Sequence, residues 1–110
     1  MSGVRTKQSL SLPRQRLVEL MQEINYGRIE CLEVRGGEPV LDPAPRVLRE
    51  WVFGKDNAPN RARTQGDFAL KDHLIELFDL FDRERSLTVE TLVLQNGLPV
   101  RMTVTGGVRA

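Results

Sequence analysis

The sequence predicts an α+β fold made of two helix-hairpin units, an antiparallel sheet with both helices on one face and one additional strand. Three observations predict it. LEVRGGEPV at 32–40 returns as LVLQNGLPV at 92–100, so Leu32, Val34, Gly37, Pro39 and Val40 recur sixty positions later as Leu92, Leu94, Gly97, Pro99 and Val100. A helix-like run precedes each copy, LVELM at 17–21 and LIELF at 74–78. Each copy also holds a two-residue turn, Gly36-Gly37 and Asn96-Gly97, between strand-like runs. Positive φ at both turn positions is what a type I′ hairpin requires.

Residues 1–11 are polar and aperiodic and read as a mobile tail. The first helix is expected from near Pro13, where a missing amide donor is harmless, with Ser11 close enough to cap. Leu17, Leu20, Met21 and Ile24 form its apolar stripe, and Arg14, Arg16, Glu19, Gln22 and Glu23 its wet side. The strand from Arg28 to Val34 carries a phase error: Ile29 and Cys31 alternate in one phase, Leu32 and Val34 in the other. Leu87 and Val89, then Leu92 and Leu94, repeat it. A β-bulge in the middle of each strand reconciles the two phases; partial cover on both sheet faces is the alternative.

Pro39 and Pro99 cannot donate to a ladder, so each belongs at an edge or with its nitrogen facing away from the partner. RVLREWVF at 46–53 is the additional strand, with Val47, Trp51 and Phe53 on one face and Leu48 and Val52 on the other. Residues 54–66 are a polar linker. The second helix is expected from Asp67 as N-cap, with Leu70, Leu74, Leu77, Phe78 and Phe81 in its stripe and Ile75 and Leu80 widening it. The units thus span 12–53 and 67–105 of a single domain.

A chain of 110 residues buries roughly 65% of its unfolded surface, enough for one core. Its 40% apolar and 28% charged residues are ordinary for a globular protein, and no apolar run approaches membrane-spanning length. The basic N-terminus has no apolar run behind it, which points to a cytoplasmic protein. Residues 1–63 carry eleven Lys or Arg against eight Asp or Glu, and residues 64–110 five against seven, a slight asymmetry. Thirteen of the sixteen basic residues are Arg, which genome base composition also explains.

Residues 24–41, INYGRIECLEVRGGEPVL, resemble the YezD-like small bacterial proteins, a family of single helix-hairpin units. Ile24, Tyr26, Gly27, Ile29, Val34, Gly37 and Val40 carry the likeness. Pro39 and the Pro-broken second strand depart from the pattern, as does the second unit, where Arg85 and Ser86 replace the aromatic-Gly step. The resemblance implies a fold and brings no catalytic residues.

Cys31 and His73 are the only cysteine and histidine, too few for a usual protein zinc site. Cys31 reads as a small core residue and His73 as a boundary residue packing on its own helix. Asp67, Asp72, Glu76, Asp79 and Asp82 read as a solvated helix face. No glycine-rich phosphate loop is present, so no cofactor, metal, catalysis or small-molecule substrate is expected. Two binding readings remain. One is a protein-interaction or assembly module, homodimeric or partner-binding, with Trp51, Ile75 and Leu80 as interface. The other is a nucleic-acid-binding accessory protein using Arg46, Arg49, Lys55, Arg61 and Arg63 on phosphates, against a plain solvated loop.

Overall fold

The computed structural model describes residues 6–54 and 71–105. Its elements are α1 (Leu12–Ile24), β1 (Gly27–Arg35), β2 (Glu38–Val40), β3 (Arg46–Arg49), α2 (Asp72–Glu84), β4 (Leu87–Gln95) and β5 (Leu98–Thr105), preceded by a 3-10 turn at Lys7–Ser9. The fold is α+β, two helices and a five-strand antiparallel sheet in the order β2-β1-β4-β5, with β3 also paired to β1.

The central ladder is β1 against β4, running from Gly27↔Leu94 to Val34↔Leu87. Because β4 holds one edge of β1, β2 and β3 share the other: β2 pairs Glu33 to Arg35, and β3 pairs Gly27 to Glu30. The expected additional strand therefore continues the line of β2. It is also shorter than expected, ending at Arg49. Residues 41–45, with Pro43 and Pro45, lie between the two pieces, and prolines cannot sustain the ladder. On the opposite side β5 follows β4 without a break from Leu98 to Thr105.

A bulge stands in β4, whose register with β5 shifts between Val89 and Thr91; facing it in β1, the ladder passes over Cys31 opposite Glu90 with no net shift. Cys31 has φ 61° and is exposed, so it is not the core residue expected: the irregularity there absorbs the phase change and leaves its side chain outside. Ile29, Leu32, Val34, Leu87, Val89, Leu92 and Leu94 are consequently all buried, and cross-strand pairing puts Ile29 with Leu92, Leu32 with Val89 and Val34 with Leu87. The alternate rows, Arg28↔Val93, Glu30↔Thr91 and Glu33↔Thr88, are half-buried and largely polar.

Both turns have positive φ at both positions, 60° and 80° at Gly36-Gly37, 55° and 74° at Asn96-Gly97. Pro39 and Pro99 sit on the outer strands β2 and β5, where a missing donor is tolerated.

Ser11 caps α1, its hydroxyl accepting from the Arg14 amide at 3.4 Å. The buried side of α1 is wider than the expected stripe: Val18 and Gln22 join Leu17, Met21 and Ile24. Arg14 also leaves the wet side. Its Nη2 donates to Gly37 O at 2.7 Å and to Asp82 Oδ1 at 2.6 Å, and its guanidinium lies 5.2 Å from the Phe78 ring centroid. Gln22 Oε1 is buried without a hydrogen-bond partner.

The second helix starts at Asp72, later than expected, with Lys71 at the N-cap. Asp67 and Leu70 lie outside the described residues, as do 55–66 of the expected linker. Leu74, Leu77, Phe78 and Phe81 are buried. The bounds of α1 and α2, and of β1 and β4, are each sixty residues apart. At that offset LVELM matches LFDLF at 77–81, and Leu17, Val18 and Met21 fall on Leu77, Phe78 and Phe81, all buried. The sequence match to LIELF was thus three residues out, close to one helical turn, which preserves the stripe while misplacing its members.

Residues 6–11, expected within the tail, include the 3-10 turn, and Lys7 is buried with its Nζ 2.5 Å from Glu19 Oε2. Leu10 packs against the core, extending the hydrophobic cluster beyond the two helices.

Candidate functional site

The helix ends and turns clasp each other across the central ladder. The helices end at Asn25 and Arg85, both at positive φ, 65° and 67°. Gly97 N donates to Asn25 O at 2.9 Å, and Gly37 N donates to Arg85 O at 2.7 Å. Each helix end is therefore satisfied by the turn of the other hairpin. These contacts fix α2 against the sheet and, with it, the space along its outer flank.

That flank is open. A groove of about 550 Å³ lies between α2 and β5. Leu77, Leu80, Leu92, Pro99 and Met102 supply its apolar lining, and His73, Glu76, Asp79, Arg83 and Arg101 surround it with both signs of charge. Val100 also faces it and is 38% exposed; the β4–β5 register passes over this residue between Val93 and Leu94. At the other edge Leu41, just after β2, packs against the core with Leu20 of α1.

Of the proposed interface residues, Leu80 lines the groove, Ile75 packs against the core, and Trp51 stands two residues past β3 at the opposite edge of the sheet. Trp51 is 64% exposed and Phe53 87% exposed. The sequence reading put Phe53 on the face of Trp51 without assigning it to the interface, although consecutive aromatics two apart beside a short edge strand were a usable signal.

The proposed nucleic-acid residues do not form a single track among the described residues. Arg46 pairs with Glu30 and Arg49 with Gly27, three positions apart on one strand and so on opposite faces. Arg46 Nε is 3.8 Å from Glu30 Oε1. Lys55, Arg61 and Arg63 lie outside the described residues.

His73 sits in the first turn of α2, while Cys31 is in β1, so the two are on separate elements. Among the described residues no three His, Cys, Asp or Glu side chains are grouped to hold a metal ion, and no helix is long and apolar enough to cross a membrane. Comparison with known proteins adds no kinship to this geometry: no family model, no curated protein and no solved structure matches the chain.

Proposed function

We propose that the chain is a non-catalytic protein-interaction and assembly module, built from two copies of one α-β-β unit with both helices covering one face of the sheet. The sixty-residue offset between the bounds of α1 and α2 and of β1 and β4 supports the duplication. So does the ladder: Gly27 pairs with Leu94, the counterpart of Val34, while Val34 pairs with Leu87, the counterpart of Gly27. Such exchange is the mark of a two-fold contact, here held within one chain. The resemblance of residues 24–41 to single YezD-like units fits this reading, as does a cytoplasmic setting for the exposed thiol of Cys31.

One observation carries the assembly reading: exposed Trp51 and Phe53 follow the strand at one edge of the sheet, and an apolar-lined groove flanks the other. Apolar features of this kind, rimmed by polar residues, are what association covers. Sedimentation velocity over a dilution series, with emission of the single Trp51 recorded in parallel, tests it. Mass should rise with concentration while the emission shifts to the blue. A chain that stays monomeric throughout, with solvent-like Trp51 emission, overturns the assembly role.

A further inference from the structure

We propose that the association is head-to-tail between copies of this chain: the β3 edge of one copy lies along β5 of the next, and its Trp51 and Phe53 enter the α2–β5 groove. The inference rests on the assembly reading and names its partner and geometry.

Strand direction favours it. β3 is antiparallel to β1, β1 to β4 and β4 to β5, so β3 and β5 run antiparallel to each other. A second copy set beside β5 in the same orientation therefore presents β3 in antiparallel sense, and the sheet continues with its faces unchanged. Register agrees. Straight across the sheet run the rows Val47, Ile29, Leu92, Met102 and Arg49, Gly27, Leu94, Pro99. Slid by one side-chain pair along these rows, which leaves every side chain on its own face, the incoming Arg49 comes beside Met102 and the incoming Trp51, two residues past β3, comes level with Pro99, both positions on the groove.

Shape and charge agree as well. Val47 is 39% exposed and, with Trp51 and Phe53 just beyond the end of β3, gives the incoming edge its exposed apolar surface. Two aromatics bury about 150–250 Å² each when covered, a large share of the roughly 800 Å² per partner in a standard interface. The groove places Glu76 and Arg83 on its rim, and the incoming strand brings Arg46 and Glu50, so each side offers both signs. A two-fold β5-to-β5 dimer pairs the same edges but leaves the aromatics uncovered. A head-to-tail contact leaves one knob and one groove free at the ends, so it grows into a ring or a filament.

The test uses two complementary variants of the full chain. The double variant Trp51→Ala with Phe53→Ala keeps the groove and loses the knob. Leu80→Lys keeps the knob and charges the groove, and Val100→Lys does the same from an exposed position should Leu80→Lys unfold; circular dichroism verifies the fold of each. Each variant alone should associate at least about thirtyfold more weakly than the parent chain, the consequence of losing a hot-spot anchor. Mixed in equal amounts, the two types should form a dimer that grows no further, because only one knob and one groove meet. A parent chain that associates while the Trp51→Ala, Phe53→Ala variant associates equally well overturns the head-to-tail contact and leaves the assembly role standing. So does a mixture that forms no dimer. A monomeric parent chain overturns both.

Discussion

The two edges of the sheet, each antiparallel to the strand inside it, are finished differently. β5 follows β4 for its full length, whereas the matching line on β1 is split into β2 and β3 by residues 41–45. Leu20 and Leu41 both pack against the core, while Leu80, sixty residues after Leu20, lines the groove between α2 and β5. One edge is thus interrupted and short, and the other is a continuous strand with a groove beside it. The lesson is that an edge proline cluster changes more than strand pairing. It also sets how much of the edge is left as continuous strand for another chain to pair with.

The comparison extends to single positions, and substitutions there sharpen it. Phe81 and Met21 occupy matching places, both fully buried, and Phe81 meets Phe78 edge-on at 5.7 Å between centroids. Phe81→Ala should lower stability by about 3–5 kcal/mol, and Met21→Ala by about 2–5 kcal/mol, with the aromatic loss larger because a bigger cavity is left. Chemical denaturation midpoints measure both; a larger loss at Met21 breaks the idea that the two positions do equivalent work.

Gly27 differs from its counterpart Leu87 because β3 passes close to it. A Cβ added at Gly27 would lie 2.1 Å from Leu48 O, and its φ is 151°. Gly27→Ala should cost about 1–3 kcal/mol through backbone strain and loosen β3 from β1. Faster amide exchange in β3 than in β5 of the variant would show it; unchanged exchange in β3 would mean that the close approach is absent.

The smallest effect concerns Gln22, whose counterpart Asp82 is paired with Arg14 at 2.6 Å. Gln22 Oε1 is buried without a hydrogen-bond partner, and an unsatisfied buried acceptor carries a desolvation penalty. Gln22→Met, similar in length and free of that oxygen, should raise stability by about 1 kcal/mol. A lower denaturation midpoint would assign the oxygen a partner in solution.

Much of this architecture was legible because it follows local rules. The turns were marked by Gly36-Gly37 and Asn96-Gly97, whose positive φ few other residues accept, and the irregular middles of β1 and β4 by the change of phase within each strand. The exposed Cys31 was misread because periodicity tells that the phase changes without saying which residue the change expels. The register of the helices was lost to the near-equivalence of three residues and one turn. Arg14 and Gln22 were placed in solvent on polarity alone, since the groups that meet them, Gly37 and Asp82 for Arg14, are brought there by tertiary packing. Of the site, Trp51 and Leu80 were visible as surplus apolar residues. The groove was not, because it lies between α2 and β5, whose spacing is set by tertiary packing.

The central claim is that the halves hold each other reciprocally, and the amides of Gly37 and Gly97 test it most directly. Each is the second residue of a two-residue turn, a position whose amide makes no bond within its own hairpin. Protection there must come from the carbonyls of Arg85 and Asn25. Native-state hydrogen exchange should show both amides protected to a degree approaching that of the β1–β4 ladder. If either exchanges at the rate of a free turn, the two halves are not clasped in this way.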